Sequence, residues 1–231
     1  MYLFALSTAE QGASMAVFED NNLVFESTLF SRQSHSKGLL SMVVQAVEIR
    51  DGMSIDRIDG FIAARGPGSF TGLRIGISMI KGLSMAVSKP CAGVSSLDGI
   101  AFRFCHSQKP VCVMMDAKRT EVYSAVYHFH NGKLIQKGPE MVCSPETAIE
   151  RAGFDALFVG SGSKVYREKI CSRTHDKAVF SYPSMDGVSA CALVISAMSD
   201  KGVFDFENHP LNPVYLRKSD AQIHFEGKTG A

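Results

Sequence analysis

Three short runs of alternating apolar character crowd the first thirty residues of this chain, and a second set begins at Val111. Tyr2 to Ser7, Ser14 to Glu19 and Leu23 to Leu29 are separated by turn-prone Gln11-Gly12 and Asp20-Asn21-Asn22, the pattern of an antiparallel meander. In the second half, Val111 to Met115 and Glu121 to Phe129 flank Asp116-Ala117-Lys118-Arg119-Thr120, and Lys133 to Lys137 follows an Asn131-Gly132 hairpin turn. Hairpins at the head of each half are incompatible with an ordinary alternating parallel sheet. The expected fold is therefore two α/β halves with mixed sheets, without clear sequence repetition between them. Gln108-Lys109-Pro110 divides them into 1–107 and 108–231, with a tail around Pro210 and Pro213 that packs back on the first half.

The remaining segments are read from period and punctuation. Ser34 or Ser36 caps a helix through Leu39, Leu40, Val43, Val44 and Val47, with Asp51-Gly52 as a stop. Ile58 to Ala64 reads as a buried strand, followed by a helix from Phe70 to Val87 that Pro90 ends. Ser95-Ser96 caps a third helix through Phe104, and Ser144-Pro145-Glu146 opens a short one. Ala156 to Val159 reads as a strand that leads into Gly160-Ser161-Gly162-Ser163, and Ala190 to Met198 as a last helix.

Between strand and helix stands Gly66-Pro67-Gly68-Ser69-Phe70-Thr71-Gly72-Leu73-Arg74-Ile75-Gly76. Glycines here free the backbone, and the amides of a helix N-terminus can hold an anion. The nucleotide-hydrolase loop, however, needs a lysine after its last glycine, where this chain has Leu73, and the dinucleotide motif needs glycine where Thr71 stands. The structural alternative is a tight connection into a helix whose Gly72, Gly76, Met79 and Leu83 share a low-relief strip. That strip suits close approach of another helix, either in a partner or within the same domain.

Composition narrows the function classes. The net charge of +1 offers no general field for nucleic acid, and 45% hydrophobic residues with no long uncharged apolar run argue against a membrane span or a disordered chain. Six dispersed cysteines without a CxxC pair read as reduced and buried, and the start of the chain lacks a basic leader, so the cytoplasm is the expected compartment. No G-x-S-x-G or HExxH segment supports a hydrolase. His128 and His130 share one side of a strand but lack a third ligand, and Asp116, Arg119 and Glu121 read as a charged turn.

The blocks Arg32-Gln33-Ser34-His35-Ser36, Gly66 to Gly76, Lys81-Gly82-Leu83, Gly93 to Leu97, Asp116 to Arg119 and Pro213-Val214-Tyr215-Leu216-Arg217 resemble the bacterial TsaB/YeaZ family over nearly the whole chain. The resemblance implies duplicated domains of the actin, Hsp70 and sugar-kinase type. It also implies a noncatalytic accessory subunit in threonylcarbamoylation of adenosine 37 of tRNA. The implied partners are a related catalytic subunit and an ATPase subunit of the same complex, with a homodimer when isolated and tRNA contact through the partner. No intrinsic cofactor is implied, ATP and magnesium being used by the wider complex.

By the same resemblance, the helices after His35 and after Gly68 form the contact surface, with His35, Leu39, Val43, Gly72, Gly76, Met79 and Leu83 as interface candidates. Where many family members carry an aspartate, this chain has Ser7, which weakens any metal-dependent cleft. Ser7, Thr8, Gly160 and Gly162 remain the weak nucleotide-cleft candidates, and no catalytic or metal-binding residue is assigned. Two other readings stay open: a nucleotide-dependent transferase or ATPase of the same superfamily, and a homodimeric structural protein.

Overall fold

The computed structural model describes residues 1–30, 36–48, 53–199 and 205–217. The architecture is α/β with two mixed sheets. In the first, β1 (Tyr2–Glu10), β2 (Gly12–Glu19) and β3 (Asn22–Leu29) form the antiparallel meander, and β4 (Gly60–Gly66) and β5 (Cys91–Ser95) add in parallel beside β1. The order is β3-β2-β1-β4-β5. The second sheet repeats it with β6 (Val111–Lys118), β7 (Glu121–His130), β8 (Lys133–Lys137), β10 (Leu157–Val159) and β11 (Val179–Phe180), in the order β8-β7-β6-β10-β11. A short β9 (Met141–Cys143) also pairs with β7.

Turn chemistry explains the hairpins. Asn131 and Gly132 both have positive φ and join paired His130 and Lys133, the geometry in which a two-residue loop matches strand twist. Lys118, Arg119 and Thr120 are all in the left-handed region at the β6-β7 turn.

Helices cover both faces of the first sheet. α1 (Ser36–Val47) and α2 (Phe70–Ala86) follow β3 and β4, and Ser69 caps α2 by accepting from the Gly72 amide at 3.2 Å. α2 lies over β1 on the side of Thr8. α7 (Ala190–Met198) lies on the other side, where the Ala190 amide donates to Ser14 Oγ at 2.9 Å and Ser14 pairs with Ser7. α3 (Asp98–Ala101) packs against α7. α4 (Pro145–Ala152), α5 (Ser161–Val165) and α6 (Arg167–Thr174) belong to the second sheet.

The core follows strand alternation. On β6, Val111, Val113 and Met115 join the main core shared with the first sheet, while Cys112 and Met114 face a smaller core with Ile149, Phe158 and Ile170. All six cysteines are free thiols, and burial pushes Cys112 up to about 12. A polar cluster also joins the halves. Tyr127 donates to Asp98 Oδ1 at 2.7 Å, and Lys137 Nζ lies 2.7 Å from both Asp98 and Glu140. Among the described residues, no helix is long and apolar enough to cross a membrane.

Candidate functional site

A cleft of about 970 Å³ opens between the two halves. The Pro67 to Thr71 turn and Glu10 form one wall, Asp116 to Lys118 and Ser161 the other, and Val214 to Arg217 runs along it. The glycine-rich turn is not an open anion cradle. The Ser69 amide donates to Ala9 O at 2.8 Å, the Gly72 amide to Ser69 Oγ, and the Leu73 amide to Ser69 O at 2.8 Å. Several of the donors that phosphate would need are already engaged by the chain itself.

The cleft carboxylates are similarly engaged. Ser161 donates to Glu10 Oε1 at 2.6 Å and in turn accepts from the Asp116 amide at 3.1 Å, so one hydroxyl ties the halves together. Lys118 occupies both Asp116 oxygens, through its amide at 2.9 Å and its ammonium. Asp186 Oδ1 accepts from the Gly160 amide at 2.9 Å and from Ser181 Oγ. Magnesium prefers free carboxylate and phosphate oxygens, so this donor set does not fit it. Among the described residues, no group of three or more His, Cys, Asp and Glu is arranged for a metal ion, and His128 and His130 are exposed on β7.

Burial raises the Glu10 pKa from its ordinary value; the Ser161 hydrogen bond opposes the shift, while Asp186 and Asp116 add to it. A group with a raised folded pKa contributes stability below its unfolded value and loses it as pH rises through the folded pKa. Glu10→Gln keeps the acceptor for Ser161 but cannot ionise. It is expected to leave the melting temperature unchanged near about pH 4 and to raise it by on the order of 2 °C near about pH 8, as thermal unfolding followed by circular dichroism would show.

The structure redistributes the residues singled out from sequence. Ser7 and Thr8 are buried on β1, with Thr8 Oγ1 donating to Gly72 O at 2.7 Å, so neither lines the main cleft; Ser7 borders a smaller cavity of about 90 Å³. Gly160 and Gly162 sit against β6, where an added Cβ would stand 2.5 Å and 2.8 Å from Met114 O. They are packing residues.

The interface candidates also need correction. A Cβ on Gly72 would stand 2.1 Å from Thr8 O, and one on Gly76 2.3 Å from Thr8 Oγ1, so the glycine strip faces β1 rather than a partner. Leu39 and Val43 are buried in the main core, and Met79 and Leu83 are half-buried against it. His35 lies outside the described residues. The outward surface is instead made by Leu40 and Val44 on α1, at 62% and 42% exposure, and by Met85 on α2, at 79%. Sequence reasoning missed them because an apolar residue at helical spacing reads as core until the sheet side is known. Glu10 was visible beside Ser7, but its partner lies 151 positions away.

The family model described as tRNA N6-adenosine threonylcarbamoyltransferase matches residues 29–225. The Haemophilus influenzae tRNA threonylcarbamoyladenosine biosynthesis protein TsaB is 31% identical over 180 residues, which cover 72% of this chain and 74% of that protein. The Bacillus subtilis protein of the same description is 24% identical over 96% of both. The structure of YeaZ from Pseudomonas aeruginosa superposes with a TM-score of 0.74 at 26% identity, covering 93% of this chain and 99% of that one. By these matches in sequence and fold, the chain belongs to the TsaB/YeaZ family.

Proposed function

We propose that this chain is the noncatalytic accessory subunit that supports threonylcarbamoyl transfer to adenosine 37 of tRNA by a related catalytic subunit, and that it acts through the outward surface of α1 and α2. The observation that carries this reading is the contrast between site and surface. The cleft's carboxylates are bonded to the chain's own donors, while Leu40, Val44 and Met85 stand in solvent on consecutive helices. Apolar groups so placed are what a protein partner would bury. The repeated strand order supports an internal duplication of the actin, Hsp70 and sugar-kinase type, divided near residue 107. ATP and magnesium belong to the other subunits, the compartment is the cytoplasm, and the same helices account for a homodimer in the absence of the partner.

Mixing the purified chain with the related threonylcarbamoyltransferase of its own organism is expected to give a discrete complex on size-exclusion chromatography that persists at raised salt, because the contact is mainly apolar. Calorimetry of the chain alone against ATP and magnesium is expected to be flat. Absence of the complex at every salt concentration sinks the reading.

A further inference from the structure

The segment from Phe206 to Arg217 touches both halves of the molecule. Its first part lies on β4 and β5, where the Gly93 amide donates to His209 O at 3.0 Å and the Val214 amide to Arg65 O at 2.7 Å. Glycines of the first sheet leave room for it. A Cβ on Gly60 would stand 2.0 Å from the Phe206 ring, one on Gly93 3.2 Å from Pro210 O, and one on Gly66 2.4 Å from Val214 O. Gly66 also has φ +115, so its role in the glycine-rich turn includes seating this segment.

The second part crosses the mouth of the cleft. The Tyr215 ring lies 4.7 Å from that of Phe70, and its hydroxyl accepts from Arg74 Nε at 3.4 Å, both on the first turns of α2. Two residues on, Arg217 Nη1 donates to Ala117 O at 2.5 Å and lies 3.7 Å from Glu121 Oε2, at the β6-β7 turn of the other half. The Arg217 side chain is 17% exposed and that of Glu121 40%, so the ion pair is partly screened and the bond to Ala117 O is the firmer of the two contacts.

We propose that residues 206–217 are an interdomain strap, seated on the glycine-lined first sheet and latched by Arg217 to the β6-β7 turn, that fixes the angle between the halves and the width of the cleft. The two sheets share the main core, an apolar contact that holds their inner faces together, while the width of the cleft is set at its mouth, where that core does not reach. The Asp98, Tyr127 and Lys137 cluster joins the halves away from the cleft, since none of the three lines it. On the cleft side the strap acts beside the Ser161 bond to Glu10. It also ties that angle to α2 through Tyr215, and it stands whether or not the accessory-subunit reading does.

The test uses the full chain with a pair of spin labels on non-natural residues at Ser78 of α2 and Glu168 of α6, both exposed, which leaves the native cysteines untouched. Arg217→Ala, and Arg217→Ala with Tyr215→Ala, are expected to broaden the distance distribution toward longer values and to speed amide exchange about tenfold or more on both cleft walls, at 67–73 and 115–123. Arg217→Lys, which keeps the charge without the planar guanidinium, is expected to restore the narrow distribution in part. A distribution unchanged in the folded double variant, or faster exchange confined to β4 and β5, overturns the strap and leaves a simple sheet cover.

Discussion

Gly72→Ala is expected to lower the unfolding free energy by about 3 kcal/mol, measured by urea denaturation, although the substitution adds one methyl group to a helix. The methyl would stand 2.1 Å from the carbonyl oxygen of Thr8, a backbone atom of β1, so there is no flexible side chain to swing away. Relief requires α2 to lift from β1, which also breaks the Thr8 Oγ1 bond to Gly72 O and loosens the packing of buried Leu73, Ile77 and Ile80. Gly82 on the same helix provides the control. It is exposed, and an added Cβ would meet nothing within 4 Å, so Gly82→Ala gains helix propensity without a clash and is expected to stabilise by about 0.5–1 kcal/mol. Opposite signs from one substitution type on one helix would locate the sheet-facing side directly. Equal signs would mean that α2 does not sit on β1 as described.

The largest expected effect on binding comes from Leu40→Asp combined with Val44→Asp. Both side chains are exposed on one face of α1, one turn apart, and neither belongs to the core. Burying two carboxylates against an apolar partner is expected to weaken binding to the threonylcarbamoyltransferase by about 100-fold or more, near 2.7 kcal/mol, while the melting temperature shifts by no more than about 2 °C. Leu39→Ala, one residue away, should do the reverse: as a buried core residue it should cost about 2–5 kcal/mol of stability. Calorimetric titration of the folded variants separates the two effects. Wild-type affinity in the double aspartate variant would remove this face from the contact.

Much of the fold was legible because its strands announce themselves locally. The two meanders carry alternation and turn residues, and β8 and α7 begin and end where period and capping place them. The missed elements lack such marks. β5 is five residues containing Gly93, directly after Pro90, and β11 is two residues long; both exist because a parallel neighbour supplies their hydrogen bonds. α6, mostly polar, shows little beyond Ile170 facing inward.

The site was harder to read for a geometric reason. Small residues at i and i+4 mark a close approach but not its direction, and for Gly72 and Gly76 the approaching group is a strand of the same domain. The bond from Ser161 to Glu10 depends on how two halves meet, which no local pattern encodes.

The placement of α7 bears on how the nascent chain folds. One face of the first sheet waits for residues 190–198, although its last strand is finished at Ser95. At about 5–20 residues per second, the ribosome needs about 5–20 s to deliver them. During that interval Leu3, Ala5 and Ala16, all fully buried at the end, lack the helix that completes their core. The first half is thus expected to keep one face open during synthesis until residues 190–198 have emerged, and to close only then.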